Sequence, residues 1–332
     1  MPSVVSVGLI GCGAIAAEHA ASLRSLDGVS VRAYADVDET RATTFLHRYG
    51  GSYATGDASV LFADDALEAV YVCTHADSHA ALGIAAARAG KHVLMEKPLA
   101  LTLEECDRMV EEVDRTGILF MTGFKLRFYP SVERVRAFIS RPTLVIAQMT
   151  DTRWPDEFWG NDLRKGGGNV LSQGCHTVDL VCHLMGSDAE QISAASANLT
   201  HPALAIVDTL AATLHFPGKR LASIVQADGG PAPLVSKFSF QVFDGVRSAH
   251  LHNRLRSTVL FDGARREELY DDEELGIARE NLEFITSIRE QRAPSCGVRD
   301  GRRAMRILLG ALRSAEQGAA VQLPDSLPGG QG

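Results

Sequence analysis

Along the first 122 residues the hydrophobic positions fall into short dense runs, separated by longer stretches in which they recur every three or four residues. The runs are 4–10, 29–35, 69–73, 91–95 and 118–121, each of strand length. The stretches between them, about 14–26, 39–49, 77–89 and 102–116, have helical spacing. This alternation predicts a parallel sheet covered on both faces by helices. Gly90 and Gly117 fall where the third and fourth helices should end, as C-terminal caps. After about 123 the pattern changes. A helix at 131–140, a strand at 144–150, a loop at 152–168 rich in aromatic, acidic and glycine residues, and a helix at 169–185 are expected in turn. Segments 190–199, 206–216, 220–227, 235–243, 246–254 and 257–261 then alternate apolar with polar and predict a mostly antiparallel sheet. Helices at 273–290 and 299–316 precede a Pro/Gly-rich tail. The expected class is therefore α/β with two domains, 1–122 and 123–332, the last helix being free to pack on the first.

Composition narrows what such a chain does. Its 332 residues, 45% of them hydrophobic, suffice for two sizeable cores. A net charge of −8 with no basic run argues against a nucleic-acid partner and against an anionic membrane surface. No run of roughly 18 apolar residues offers a membrane span. Met-Pro-Ser leads straight into the first strand, without the basic region and cleavage site of a signal peptide. Cys12, Cys73, Cys106, Cys175, Cys182 and Cys296 form no C-x-x-C pair and read as reduced, mostly buried thiols. The expectation is a cytoplasmic protein.

The densest chemical signal is Gly11-Cys12-Gly13-Ala14-Ile15-Ala16, which lies between the first strand and an alanine-rich helix. The second strand ends in Asp36. Strand, glycine turn, helix, strand and acid, in that order, form a dinucleotide-binding unit. Gly11 permits the tight turn, and Gly13 lets backbone approach a pyrophosphate. Ala16 keeps helix and strand close, and the helix N-terminus offers N–H groups to the phosphates. Asp36, 23 residues after Gly13, would accept hydrogen bonds from a ribose diol and repel a 2′-phosphate. NAD is therefore the expected cofactor, with NADP open because Arg41 is near.

Glu96-Lys97-Pro98 follows the fourth run, at the strand end where ligands of doubly wound sheets bind. Lys97 there can point at a nicotinamide and the reacting carbon, with Pro98 fixing the backbone, a cis bond being one way to do so. The stretch from Gly166-Gly167-Gly168 into the helix places Ser172, His176 and Asp179 on one helical face. An imidazole there can exchange a hydroxyl proton, and Asp179 can orient it or a substrate hydroxyl. Taken alone, His176 would read as a core residue of a packed helix. His176, Asp179 and His183 also share the spacing of a metal face, a weaker reading without a fourth ligand. Trp154, Phe158 and Trp159 could cover a sugar face or simply pack their loop. Lys125 and Arg127 could hold a substrate anion or lie along apolar surface.

With these motifs quoted, the chain resembles the glucose–fructose oxidoreductase/inositol dehydrogenase/MocA family over almost its whole length. The resemblance also rests on Ala69-Val70-Tyr71-Val72-Cys73-Thr74 followed by His79, and on Gly90-Lys91-His92-Val93-Leu94-Met95-Glu96-Lys97-Pro98-Leu99. It implies a Rossmann domain followed by an α/β domain with an open, largely antiparallel sheet that forms homodimers or homotetramers. It implies a sugar or polyol substrate and Lys97 and His176 as catalytic pair, with Asp179 beside them. The implied cofactor set is Gly11, Gly13, Ala14, Ile15, Asp36, Thr74, His79, Glu96 and Lys97. Together with the loop residues read above, the expected substrate set is Lys97, Arg127, Trp154, Ser172 and His176. One departure stands out. Inositol-dehydrogenase-like members carry an aspartate where this chain has Ser172, which cannot hold a negative charge. Redox-assisted chemistry without net oxidation, and a non-catalytic dinucleotide sensor, are the competing readings.

Overall fold

The computed structural model describes residues 4–229, 237–273 and 275–324. The Pro/Gly-rich tail after 324 lies outside them. The chain divides into two compact units. One comprises Met1–Lys125 with Gly276–Arg302, the other Leu126–Leu275 with Arg303–Gly332.

The first unit is built on a six-stranded parallel sheet of β1 (Val5–Ile10), β2 (Val29–Ala35), β3 (Tyr53–Thr55), β4 (Ala69–Val72), β5 (His92–Met95) and β6 (Phe120–Thr122). The spatial order is β3-β2-β1-β4-β5-β6, so the connection direction reverses between β1 and β4. Helices α1 (Ala14–Leu23), α2 (Glu39–Tyr49), α3 (Ala58–Phe62), α4 (His79–Arg88) and α5 (Leu103–Thr116) link the strands. The five expected runs are all strands. The hydrophobic pattern misses β3 and α3 because they are three and five residues long. Neither has the length to display a period, and β3 is a half-buried edge strand. The β1–β2 register shifts between Val7 and Gly8. A Cβ on Gly8 would lie 2.8 Å from the Leu61 side chain, so the glycine lets α3 close on the sheet.

Helix α5 is fixed at both ends. Thr102 and Glu105 form a reciprocal capping box, and Gly117 closes the C-terminus at φ 69°. The buried Asp107 of α5 pairs with Arg302.

The second unit contains α6 (Pro130–Phe138), β7 (Leu144–Asp151), α7 (Gly168–Met185), β8 (Gln191–Ala197), β9 (Thr209–Phe216), β10 (Arg220–Asp228), β11 (Phe238–Phe243), β12 (Ser248–His252), β13 (Ser257–Phe261) and β14 (Arg266–Tyr270). Helix α8 (Gly276–Glu290) belongs to the first unit, and the division between units falls inside α9 (Val298–Gln317). The short β15 (Val321–Gln322) completes a nine-stranded sheet of order β14-β13-β12-β11-β7-β10-β9-β8-β15. It is parallel at β7–β10 and antiparallel at the other described pairings. The sequence pattern misses β14, whose residues Arg266-Glu267-Glu268-Leu269-Tyr270 are charged and largely exposed. Strand β9 shows the alternation plainly, Leu210, Ala212, Leu214 and Phe216 being buried and the residues between them more exposed. The inward face packs under α7, nearly all of whose residues are buried. The outward face leaves Ile146, Leu221, Val225 and Phe261 exposed.

Thr102→Ala removes one half of the α5 capping box. A loss of about 1 kcal/mol is expected in denaturant unfolding of the whole chain.

Candidate active site

The glycine turn opens a cavity of about 490 Å³ at the carboxyl ends of β1 and β4. Gly11, Cys12, Gly13, Asp36, Thr74 and Ser78 are among its lining residues. Gly11 sits at φ +86°, and a Cβ there would lie 2.8 Å from the carbonyl carbon and oxygen of Cys73. Only glycine lets the two strand ends approach this closely. At Gly13, by contrast, a Cβ would meet nothing within 4 Å. That open cradle faces the start of α1, which has no side-chain cap and no acid in its first turn. Its leading N–H groups and positive dipole end suit a pyrophosphate. The residues present thus fit a dinucleotide. Ala14 and Ile15 open α1 beside the cavity, and Ala16 is fully buried against the sheet.

Asp36 is anchored before any ligand arrives. Its Oδ2 accepts the Cys12 N–H at 2.7 Å and its Oδ1 accepts the Asp38 N–H at 2.9 Å. Both bonds hold the carboxylate at the cavity wall. Arg41 also lines the cavity and pairs with Asp38 at 3.4 Å. Burial, then Asp36, pushes the Cys12 thiol up to about 12, and burial raises Cys73 as well. Neither is a thiolate nucleophile at neutral pH.

Beyond β4 and β5 the expected cofactor residues have different surroundings. Thr74 lines the cavity. His79, expected at the cofactor, is buried, with Nδ1 2.8 Å from the Pro98 carbonyl and Nε2 3.1 Å from the Thr74 carbonyl. Burial holds its ring below the ordinary histidine value despite both carbonyls. His79 therefore braces the cis Lys97–Pro98 segment against the turn after β4. Glu96, also expected at the cofactor, turns its carboxylate inward. Oε2 accepts the Lys97 backbone N–H at 3.1 Å, and Oε1 lies 3.1 Å from His19 Nε2. His19 Nδ1 is 2.8 Å from Asn281 Oδ1, and Glu280 completes a buried group whose ligand-type atoms lie within 4.8 Å of one another. Burial works to raise Glu96, but His19 first, then Lys97 and Lys125, hold it below the ordinary glutamate value.

Sequence reasoning missed this cluster, although a signal was present. His19 falls on the buried stripe of Ala16, Ala20 and Leu23 in α1. Glu280 and Asn281 fall on the stripe of Ile277, Phe284, Ile285 and Ile288 in α8. Polar residues on an apolar stripe imply a partnered network.

In the second unit α7 carries Ser172, His176 and Asp179, all buried. Gly167 and Gly168 adopt left-handed conformations at φ 75° and 79° where the helix begins. The close approach at Gly166 is to its own loop. A Cβ there would lie 2.5 Å from Gly160 Cα. The helix is locked to β10 by Gln226, which donates to Asn169 Oδ1 at 2.7 Å and accepts from Thr177 at 3.1 Å. Asp179 receives a two-pronged ion pair from Arg127, Nε to Oδ2 at 2.8 Å and Nη2 to Oδ1 at 2.5 Å. Arg303 stands 3.8 Å from Oδ1. With two guanidinium groups around it, Asp179 is not disposed to hold a metal cation. Arg127, expected at the substrate, directs these two donors at Asp179. In the loop between β7 and α7, Trp154 and Phe158 meet edge to face at 5.1 Å, and Phe158 and Trp159 lie 5.2 Å apart.

Known proteins share this organisation. The family model described as "Oxidoreductase family, NAD-binding Rossmann fold" matches residues 5–124, and the one described as "GFO/IDH/MocA C-terminal domain" matches 136–233. A myo-inositol 2-dehydrogenase of Thermotoga maritima is 27% identical over 335 residues, covering 96% of this chain and 98% of the relative. An uncharacterized oxidoreductase of Rhizobium meliloti, ORF334, is 30% identical over 77% of this chain and 76% of its own length. A solved structure of levoglucosan dehydrogenase with NADH and levoglucosan superposes with a TM-score of 0.91 at 20% identity, over 97% of this chain and all of that one.

Two outcomes are expected. Gly13→Val, placed in open space, should abolish dinucleotide binding measured by calorimetry while leaving the melting temperature near that of the parent. Arg127→Ala should cost about 3 kcal/mol or more in denaturant unfolding, because it strands the buried Asp179 carboxylate.

Proposed function

The chain belongs to the glucose–fructose oxidoreductase/inositol dehydrogenase/MocA family, and on that premise we propose that it is an NAD-dependent oxidoreductase acting on a secondary alcohol or ketone of a sugar, cyclitol or related polyol. The observation that carries this reading is the cavity at Gly11 and Gly13, an open backbone cradle with an anchored carboxylate, Asp36, at its wall. NAD, when bound, supplies the hydride acceptor or donor. Asp36 receives the ribose hydroxyls and disfavours a 2′-phosphate by charge repulsion.

The remaining roles fall to this chain's own side chains. His176 takes the hydroxyl proton as the carbon-bound hydrogen leaves, and returns it in the reverse direction. Lys97 hydrogen-bonds the same oxygen and stabilises its developing negative charge. Glu96 and His79 are positioning residues, holding the backbone of Lys97 and Pro98 from below. Asp179, neutralised by Arg127, acts on the placement of α7 rather than as a proton carrier. Ser172 donates to or accepts from a ring hydroxyl, and Trp154 covers an apolar sugar face. The relatives named for myo-inositol and levoglucosan support a polyhydroxylated ring as substrate.

We also assign the protein to the cytoplasm as a homodimer or homotetramer. All six cysteines are buried free thiols, as a reducing compartment allows. Among the described residues no helix is long and apolar enough to cross a membrane. The exposed face of the second sheet, with Ile146, Leu221, Val225 and Phe261, suits a second copy of the chain.

The decisive assay follows reduced-nicotinamide absorbance with NAD⁺ or NADP⁺ across inositols, aldoses and sugar acids. A substrate-dependent rise, larger with NAD⁺, is expected. Lys97→Met should lower turnover at least about 10²-fold with dinucleotide affinity retained; near-parental turnover would remove Lys97 from the mechanism. Asp36→Ala should narrow the preference for NAD⁺ over NADP⁺, and an unchanged ratio would discard the charge argument.

A further inference from the structure

The chain's two tryptophans, Trp154 and Trp159, both stand in the segment between β7 and α7. That segment is fastened by a histidine from a different loop of the same unit. His201, between β8 and β9, is fully buried. Its Nδ1 lies 2.6 Å from Asp156 Oδ1, and its Nε2 lies 2.8 Å from Asp228 Oδ2. A neutral imidazole has one N–H donor, and an ionised carboxylate has none. Whichever tautomer is chosen, both contacts with ionised carboxylates are satisfied only when the ring carries both protons.

Both carboxylates pass the hold onward. Asp156 belongs to the aromatic segment itself, and Arg153 also donates to it. Asp228, at the end of β10, accepts the Trp154 backbone N–H through Oδ1 at 3.1 Å. The histidine's own loop is fixed by the buried Asp208. This carboxylate accepts the backbone N–H groups of Leu199, Thr200 and His201 at 2.9, 2.7 and 2.9 Å. The bridge thus runs from a rigid loop, through one ring, to both the side chain and the backbone of the segment.

We propose that His201 is a positioning residue whose imidazolium clamps the Trp154–Trp159 segment, and that loss of its proton releases that segment. Any effect on substrate rests on the reading of Trp154 as a substrate-covering residue; the clamp itself does not.

The charged groups around the ring favour the imidazolium. Asp156 faces it from the segment and Asp228 from β10, while Asp208, in the turn before β9, is engaged with the His201 backbone N–H. Arg153 is the opposing cation, and Asp151, at the end of β7, is paired with Lys237 at 2.7 Å. Burial works against a charged ring, but the hydrogen bonds to Asp156 and Asp228 carry it above the ordinary histidine value. The same contact holds Asp156 below the ordinary aspartate value, whereas burial raises Asp228. A raised folded-state value gives the sign. The clamp is complete below the ordinary histidine value near 6.5 and is lost as pH climbs through the raised one.

Tryptophan emission of the intact protein reads the segment directly. Between about pH 6 and pH 9 the parent should show one red-shifting transition, with its midpoint above the ordinary histidine value, while circular dichroism stays native. His201→Gln should emit at neutral pH as the parent does at high pH and lose the transition. His201→Arg, which keeps a charge between the two carboxylates, should keep the low-pH emission throughout. A parent emission that is flat across this range, or an identical transition in His201→Gln, would overturn the clamp. The readout needs neither substrate nor cofactor, so it stands apart from the oxidoreductase reading. If Trp154 also covers substrate, KM should rise through the same transition with kcat unchanged.

Discussion

Two backbone segments touch where β1 and β4 end, and the candidate cofactor site depends on Gly11 having no side chain in the way. At Gly11 a single carbon would collide with the Cys73 carbonyl, 2.8 Å away. Reversal of the connections between β1 and β4 opens a crevice beyond the strand ends, and the close approach at Gly11 shapes its floor. The neighbouring features follow from that geometry. Helix α1 starts with unprotected N–H groups beside open space at Gly13. Asp36 reaches back to the Cys12 N–H, so the second strand end is fastened to the turn.

Buried charge is the second organising constraint. Isolated ions in the interior cost several kcal/mol, and several buried charges here carry partners that tie segments together. Asp107 with Arg302 joins α5 to the start of α9 within the first unit. Glu96 sits among His19, Asn281 and Glu280, which gives the loop bearing Lys97 a firm floor. In the second unit Arg127 neutralises Asp179, and His201 lies between Asp156 and Asp228. The side chains proposed to meet ligand are therefore supported from behind by polar groups that do not themselves need to touch it. This is the support that precise positioning of reacting groups requires.

Much of this was legible in the sequence. The five apolar runs of the first unit, the glycine turn, Asp36 and the capped ends at Gly90 and Gly117 are local features, set by residue size, backbone freedom and hydrophobic period. Such features act over a few residues and leave a pattern in the chain. The antiparallel character of the second sheet was legible for the same reason, since inward and outward positions alternate along β9 and β10.

What the sequence could not reveal was partnership between distant residues. Arg127 and Asp179 are 52 positions apart, and His19 and Asn281 are 262 apart. Nothing local marks Asp179, which can orient a histidine or a hydroxyl, as the partner of the Arg127 guanidinium. Nor does it reveal that the His79 ring meets the carbonyls of Pro98 and Thr74. Short elements without a period, β3, α3 and β14, were hidden as well, because tertiary packing rather than local preference decides them. The sequence by itself determined the order of the elements, the parallel nature of the first sheet and the chemistry of the glycine turn. Tertiary structure alone decided which charges meet, because a long-range ion pair depends on the distance between side chains in space and leaves no periodic trace along the chain.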